Sequence, residues 1–140
     1  MKRYVLDTSV VIKWFSEYDE DDLDKALNLR YDILEGTCSI IVPDLLFYEV
    51  ANALRYNPYF TIDDVKTALN TVIEMDLEVK GVDTDMITRA IEIAFEKDLT
   101  VYDACFLALS EIEKAYLVTA DYKFTERVKG FENVIKLLEL

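Results

Sequence analysis

Short apolar runs alternate along the chain with longer segments in which apolar residues recur at helical spacing. Each run is rich in β-branched or aromatic residues and is bounded by polar ones, which is typical of a strand buried in a parallel sheet. The runs are residues 4–6, 39–42, 77–79, 115–119 and 134–135. Because the segments between them have helical character, the pattern predicts an α/β fold with a mostly parallel sheet covered on both faces.

The segments between the strands carry start and stop signals of helices. Helices are predicted at residues 8–15, 24–34, 45–56, 61–73, 86–95 and 104–112. Thr61 and Asp64 have the spacing of a capping box, and Gly36 is suited to end the second helix. The fifth helix is expected to be capped by Asp83 or Thr84.

The third predicted helix, residues 45–56, is apolar on nearly all sides. We therefore expect it to be buried, with Asp44 as its N-terminal cap. Glu49 and Asn52 are its polar interruption, and their spacing of three residues brings them onto the same face of the helix.

The composition is that of a globular chain. Of the 140 residues, 52% are hydrophobic and 31% are charged, with only three Gly and two Pro. We expect a single domain over residues 1–140 that folds without a disulfide or a structural metal. Cys38 and Cys105 stand far apart in apolar surroundings, so both are expected to be reduced core residues of a cytoplasmic protein. No segment is long enough to span a bilayer.

Two absences narrow the possible chemistry. The chain has no histidine, which excludes imidazole acid–base catalysis, histidine-ligated zinc and a Ser-His-Asp triad. Its three glycines are too scattered to form a phosphate-binding loop. The net charge of −13 argues against broad attraction to nucleic acid or acidic membranes, and it suits a protein that binds metal cations or a basic partner.

Four carboxylates stand out because they follow strands or lie in apolar helices. Asp7 and Asp121 come just after the first and fourth predicted strands. Glu49 lies inside an apolar helix, and Asp103 lies at the start of another. Ligands of open α/β sheets bind beyond the carboxyl ends of the strands, so Asp7 and Asp121 occupy positions typical of site residues.

Each of these carboxylates also has a local structural interpretation. Asp7 and Asp121 could cap the helices that follow them, and Asp103 could complete a capping box with Thr100. Glu49 could form an ion pair, for which the available cations are Arg55 and Arg89. Within its own stretch of sequence, Asp7 fits a helix cap as well as it fits a site residue.

Jointly, the four acids favour one shared site over four separate structural roles. Two parallel strands that end in Asp, and two helices that each carry an acid, can converge at one edge of a sheet. Carboxylates held close together repel and take up protons unless a cation neutralises them. The natural neutraliser is Mg²⁺ or Mn²⁺, which takes oxygen ligands, binds phosphate oxygens and activates water for in-line displacement.

At these residues the chain resembles the PIN-domain ribonucleases, and most closely the VapC-type toxins of toxin–antitoxin pairs. Four stretches carry the resemblance, in the order typical of the family and over essentially the whole chain. They are Leu6-Asp7-Thr8-Ser9, Glu49-Val50-Ala51-Asn52-Ala53-Leu54, Tyr102-Asp103-Ala104-Cys105-Phe106-Leu107-Ala108-Leu109 and Leu117-Val118-Thr119-Ala120-Asp121-Tyr122-Lys123-Phe124. Any one stretch is a weak signal, but all four in sequence are specific.

The resemblance implies a three-layer PIN-like fold, with a parallel sheet of four or five strands flanked by helices. It implies Mg²⁺- or Mn²⁺-dependent cleavage of RNA by metal-activated water, leaving a 5′-phosphate and a 3′-hydroxyl, in a homodimer restrained by an antitoxin protein. The residues that would bind metal and catalyse are Asp7, Glu49, Asp103 and Asp121. The polar residues that would support them are Thr8, Ser9, Asn52 and Thr119. For Ser9 and Thr119, plain capping is an equally good interpretation.

Two functions other than metal-dependent ribonuclease activity fit part of the pattern. Aspartyl-phosphate phosphatases also place an Asp after the first strand, but they need a second Asp two residues later, where this chain has Ser9. A PIN-like module could instead bind RNA or protein without cutting it, and the complete acidic set argues against that.

The charge of −13 bears on how such a chain would contact RNA. One account assigns the contact to local cations, for which the candidates are Lys13, Arg55, Arg89, Lys123 and Arg127. The other account assigns the acidic face to a basic antitoxin that covers it and blocks the cleft. The sequence does not rank the two accounts.

Overall fold

Five strands form the centre of the protein, in a computed structural model that describes residues 1–140. They are β1 (Lys2–Leu6), β2 (Cys38–Pro43), β3 (Glu78–Lys80), β4 (Tyr116–Thr119) and β5 (Val134–Lys136). Their order in the sheet is β3-β2-β1-β4-β5, and every neighbouring pair is parallel. The predicted α/β fold with a parallel sheet is confirmed, and the sheet has five strands.

The chain changes its direction of winding between β1 and β4. From the central β1 it builds β2 and β3 on one side, and it then returns to build β4 and β5 on the other. Leu6 pairs with Val118, and the Asp7 N–H donates to the Val118 carbonyl at 3.4 Å. The carboxyl ends of β1 and β4 therefore lie side by side. Open α/β sheets bind ligands in the crevice beyond the carboxyl ends of two strands at which the direction of winding reverses.

Seven helices flank the sheet. They are α1 (Thr8–Val11), α2 (Leu23–Leu34), α3 (Leu45–Arg55), α4 (Ile62–Glu74), α5 (Thr84–Lys97), α6 (Val101–Ile112) and α7 (Tyr122–Arg127), with short 3-10 helices at Ile12–Trp14 and Leu137–Glu139. α6 contacts β1, β2 and β4 and packs extensively against α5. Because residues 104–110 are all buried, α6 is the helix that covers the centre of the sheet.

The core fixes the backbone from which the first carboxylate projects. In β1, Val5 and Leu6 are fully buried, and in the neighbouring β4 so are Leu117 and Val118. Consecutive residues of both strands are buried because helices cover both faces of a parallel sheet. Truncating Leu6 to Ala would cost about 2–5 kcal/mol of stability, so the end of β1 is held firmly where Asp7 begins.

Helix ends confirm three predictions. Thr61 and Asp64 form a reciprocal capping box at the start of α4. Asp83, rather than Thr84, is the cap of α5. Gly36 follows α2 with a φ of +76°, a left-handed conformation that favours glycine.

Helix α3 differs from its prediction in two ways. Its buried residues are Leu46, Val50 and Leu54, whereas Tyr48 is 75% exposed, so the helix buries one face instead of nearly all sides. Asp44 accepts no capping hydrogen bond. Its N–H instead donates to the last carbonyl of β3 at 3.0 Å, so the residue extends the pairing of β2 with β3.

Cys38 and Cys105 are free, buried thiols, as expected. Burial is the main cause that raises the pKa of each thiol, and a raised pKa leaves little reactive thiolate at neutral pH. Both residues therefore act as small core side chains. None of the helices combines the length and the apolar character that crossing a membrane requires.

Candidate active site

The four carboxylates singled out in the sequence converge on one cavity at the carboxyl edge of the sheet. The cavity has a volume of about 350 Å³. Its lining residues are Asp7, Thr8, Ser9, Ile12, Glu49, Asn52, Ala53, Asp103, Phe106, Asp121 and Phe124. Of the eight predicted site residues only Thr119 is not among them. It is fully buried, with its hydroxyl oxygen 3.4 Å from that of Ser9.

Asp7 is both the residue after β1 and the N-cap of α1. Its Oδ1 accepts from the Ser9 N–H at 3.1 Å and from the Ser9 hydroxyl. The Ser9 hydroxyl oxygen in turn accepts from the Ala120 N–H at 2.9 Å, which joins the end of β1 to the segment after β4. Asp7 therefore caps a helix and lines the cavity at once, so the two interpretations of this residue are compatible.

Burial raises the pKa of Asp7 to about 6. The charges of Asp121 and Asp103 raise this pKa further, while hydrogen bonds from Ser9 and Thr119 act in the opposite direction. Protein atoms surround the carboxyl group densely, although the residue keeps a partly exposed edge where it lines the cavity. A carboxyl group with such a pKa is partly protonated near neutral pH unless a cation compensates its charge.

Glu49 reaches the cavity from α3. Its Oε1 accepts a hydrogen bond from the Thr8 hydroxyl at 2.6 Å, which joins α3 to α1. Burial raises the pKa of Glu49, the bond from Thr8 lowers it, and the charge of Asp103 raises it. The ion pair with Arg55 or Arg89 considered from the sequence is absent, because a hydroxyl partners the carboxylate and the arginines have other contacts.

Asp103 and Asp121 stand at the amino ends of α6 and α7. The Asp103 N–H donates to Thr100 Oγ1 at 3.1 Å, so one of the two bonds of the proposed capping box is present. Asp121 caps α7 by accepting from the Phe124 N–H at 3.0 Å, and its own N–H donates to Thr119 Oγ1 at 3.1 Å. Burial raises the pKa of Asp103, and the charge of Asp121 adds to that effect.

The donor set fits a hard divalent cation. All four acids offer oxygen, the ligand that Mg²⁺ and Mn²⁺ prefer, and the raised pKa values of Asp7, Glu49 and Asp103 mark carboxylates without a compensating positive charge. No three acidic or cysteine side chains form a complete metal-binding group by themselves. Mg²⁺ usually keeps several waters and takes one or two carboxylates, so the four acids are candidate ligands of which a bound ion would use some directly.

Few cations are free near the cavity. Lys13 is buried, with its Nζ 2.7 Å from a carboxylate oxygen of Glu20, and Arg89 is held by an acid of α6 at 2.9 Å. Arg127 is exposed, and its charge lowers the pKa of Asp103, which brings it electrostatically close to the acids. The other exposed cations named from the sequence are Arg55 and Lys123.

The cavity also has an apolar wall, which was not predicted from the sequence. This wall consists of Ile12, Ala53, Phe106 and Phe124. Each of these residues follows a polar residue of the same cavity by three or four positions. Helical spacing therefore contained the signal that would have found them.

A larger cavity, of about 670 Å³, lies at the opposite edge of the sheet. Its lining includes residues from the amino ends of three strands, namely Lys2, Cys38 and Tyr116. It gathers no comparable set of carboxylates, and in parallel sheets the amino edge is the less common place for ligands. We therefore assign the chemistry to the smaller cavity.

The sequence matches the model of the PIN domain over residues 4–130. A comparison with curated proteins finds no significant match. Solved structures match over nearly the full chain. PAE2754 from Pyrobaculum aerophilum is 22% identical with a TM-score of 0.66, and the match covers 99% of this chain and 91% of that chain.

Two further structures match over most of the chain at lower identity. VapBC from Salmonella typhimurium, crystallised bound to DNA, is 18% identical with a TM-score of 0.66, and the match covers 98% of this chain and 99% of that chain. VapC20 from Mycobacterium tuberculosis, a sarcin-ricin loop cleaving toxin, is 14% identical with a TM-score of 0.66, covering 87% of this chain and 94% of that chain. At these identities the likeness establishes the fold.

Proposed function

We propose that this chain, which belongs to the PIN-domain family, is a metal-dependent endoribonuclease of the VapC type that hydrolyses RNA phosphodiester bonds with an activated water. The observation that carries the proposal is the convergence of Asp7, Glu49, Asp103 and Asp121 on one cavity at the switch point of the sheet. The chain has no histidine to activate a serine or cysteine, so water is the nucleophile and no covalent protein intermediate forms.

In this proposal the four acids would hold Mg²⁺ or Mn²⁺. The bound cation would stabilise charge on the phosphate and activate water. The contribution of the protein is to fix the acids in advance. Ser9 holds Asp7 through two hydrogen bonds, and Thr8 holds one oxygen of Glu49, which leaves the other carboxylate oxygens for ligand binding. The apolar wall lowers the local dielectric constant and so strengthens attraction between the acids and the cation.

The direct test is incubation of the purified protein with a mixed RNA pool in Mn²⁺. We expect cleavage products with 5′-phosphate ends, no cleavage in EDTA, and recovery when Mn²⁺ is added in excess of the chelator. A non-catalytic PIN-like module would bind RNA under the same conditions and leave it intact. Cleavage that persists in EDTA would count against the metal-dependent mechanism.

The proposed partners are an antitoxin protein and a second copy of this chain. A relative from Klebsiella pneumoniae was crystallised as a toxin–antitoxin complex, and a charge of −13 suits a basic antitoxin. A homodimer is supported by an exposed apolar face of α5, where Ile91 and Phe95 are one turn apart and 44% and 87% exposed. Light scattering on the protein alone, and with the product of any neighbouring gene for a small basic protein, would measure both associations.

The proposal treats residues 1–140 as one PIN domain that acts in the cytoplasm. Strands of the one sheet come from both ends of the chain, Lys2–Leu6 and Val134–Lys136, and one cluster of buried apolar residues runs from Tyr4 to Leu137. Both observations support a single folding unit. The cytoplasmic location follows from the proposed action on intracellular RNA.

A further inference from the structure

Three tyrosines form an exposed aromatic surface beside the candidate active site. Tyr18 is 52% exposed, and Tyr56 and Tyr59 are each 74% exposed. The rings of Tyr18 and Tyr59 meet edge to face, with centroids 5.3 Å apart and planes inclined by 67°. We call these three residues the aromatic ledge.

The aromatic ledge is continuous with the carboxylate cavity. A cleft of about 240 Å³ is lined by Tyr18 and Tyr56. Two further residues of this cleft, Ile12 and Ala53, also line the carboxylate cavity. A path from the carboxylates to Tyr18 and Tyr56 therefore runs past Ile12 and Ala53.

Hydrogen bonds hold the two loops of the aromatic ledge together. The Asn57 side-chain amide donates to the Ser16 hydroxyl at 2.7 Å. The Asn57 side-chain oxygen accepts from the Tyr59 N–H at 2.9 Å. The loop that carries Tyr59 is thereby tied to the segment leading to Tyr18, so the rings are arranged before any ligand binds, which lowers the entropic cost of binding.

The charges around the cleft favour bases over phosphates. Glu20 is neutralised by the buried Lys13 at 2.7 Å, but the exposed Asp19 also lines the cleft and would repel phosphate groups. Arg55 lies over the Tyr56 ring at 5.2 Å, but it is not among the residues that line the cleft. Exposed aromatic rings attract nucleic acid through stacking with unpaired bases, which requires no positive charge.

We infer that the aromatic ledge stacks unpaired bases of single-stranded RNA next to the scissile phosphate. The inference rests on the proposed ribonuclease function and adds the surface that would hold the bases of the substrate. Base stacking supplies the attraction that a protein of charge −13 cannot obtain from a basic surface. The substrate is then single-stranded RNA or an unpaired loop, because paired bases in an A-form duplex do not offer their faces.

Binding without metal tests this inference separately from cleavage. The probe is fluorescein-labelled oligoadenylate of about eight nucleotides, measured by fluorescence anisotropy in EDTA and about 0.15 M KCl. We expect Tyr18→Ala and Tyr59→Ala each to weaken binding about tenfold or more. Tyr59→Phe keeps the ring and should bind like the wild type. The matched control is Tyr31→Ala. Tyr31 is similarly exposed, at 63%, but it lies on α2 away from the aromatic ledge, since its neighbour Asp32 lines the cavity at the opposite edge of the sheet.

Several outcomes would overturn the inference. The inference fails if the wild-type protein does not bind the oligonucleotide, if it binds the oligoadenylate–oligouridylate duplex equally well, or if the ledge variants bind like the wild type. Loss of binding to a basic partner protein with RNA binding intact would assign the aromatic ledge to protein docking instead. If RNA binds through the ledge but no cleavage occurs in Mn²⁺, the ribonuclease proposal fails while the binding surface stands.

Discussion

Asp7 directly follows β1, where hydrogen bonds from its neighbours stabilise the charged carboxylate and burial disfavours it. The two hydrogen bonds from Ser9 favour the carboxylate, yet burial dominates and raises the pKa from 3.8 to about 6. Between these two values the folded protein binds more protons than the unfolded chain, so stability falls as pH rises. At about 1.4 kcal/mol per tenfold change in the protonation equilibrium, the charged Asp7 costs the metal-free protein about 3 kcal/mol at neutral pH.

Asp7→Asn should therefore stabilise the metal-free protein at pH 7–8, by up to about 3 kcal/mol. The amide oxygen can still accept the capping bond from Ser9, and no charge is buried. The gain should vanish below about pH 3, where the carboxyl group is protonated in both the folded and the unfolded state. Urea unfolding in EDTA at several pH values measures the difference, with Asp44→Asn as a control because Asp44 makes no capping bond. A difference that does not change with pH would contradict the burial argument.

Thr8 is expected to act through Glu49. Thr8→Val preserves the shape of the side chain but removes the 2.6 Å hydrogen bond to Glu49. We expect Mn²⁺ affinity, measured by isothermal titration calorimetry, to fall about tenfold or more, as is typical when a residue that orients a metal ligand is lost. Thr8→Ser keeps the hydroxyl and should restore affinity. If Thr8→Val bound Mn²⁺ with unchanged affinity, either Glu49 would not be a metal ligand or its hydrogen bond to Thr8 would not contribute to metal binding.

The sequence identified the four acids, but it could not show which groups would contact them. Asp7 and Asp121 were recognisable because each follows an apolar strand. The bond between Thr8 and Glu49 depends on the packing of α1 against α3, which is a tertiary contact between residues 41 positions apart. No local pattern encodes such a pairing, and the nearby charges in the sequence suggested an arginine instead.

At the scale of elements, the sequence predicted all five strands because each is a short apolar run between polar segments. It misjudged α3, whose exposed face includes Tyr48 and Ala53. Apolar residues on that face made the helix look fully buried. Ala53 is instead part of the apolar wall of the cavity, so an apolar face directed at a site was mistaken for a face directed at the core.

The end of α2 gives a prediction about backbone conformation. The N–H groups of Gly36 and Thr37 bond to the carbonyls of Ile33 and Asp32, as in a Schellman motif. Gly36 has a φ of +76°, so Gly36→Ala should cost about 1–2 kcal/mol in urea unfolding. Gly81→Ala is the matched control, since a methyl group there meets nothing within 4 Å and φ is not in the left-handed region, and it should be neutral or slightly stabilising. Equal effects of the two substitutions would contradict the conformational explanation.

At the scale of the whole molecule, charge and proposed substrate are in conflict. The net charge is −13, and three of the five cations considered for RNA contact, Lys13, Arg89 and Arg127, are held in ion pairs. Few phosphates can therefore be neutralised by the protein, and salt should screen the repulsion between enzyme and RNA.

The expected consequence is an unusual salt dependence. Between about 0.05 and 0.2 M KCl, kcat/KM for a single-stranded RNA should stay constant or rise, whereas proteins with many phosphate contacts lose about a thousandfold or more in affinity over this range. Initial cleavage rates at fixed Mn²⁺ measure the effect. A steep fall with salt would mean that a basic surface, from this chain or a partner, makes the contact.

Asp103→Asn distinguishes one metal-dependent site formed by four carboxylates from four separate structural acids. The pKa of Asp103 is raised by burial and by the charge of Asp121, so the amide should relieve repulsion and raise the melting temperature of the metal-free protein. The same substitution should abolish cleavage of RNA in Mn²⁺, because an amide cannot replace the negative ligand. Normal cleavage by the variant, or a large loss of its stability, would contradict the shared site.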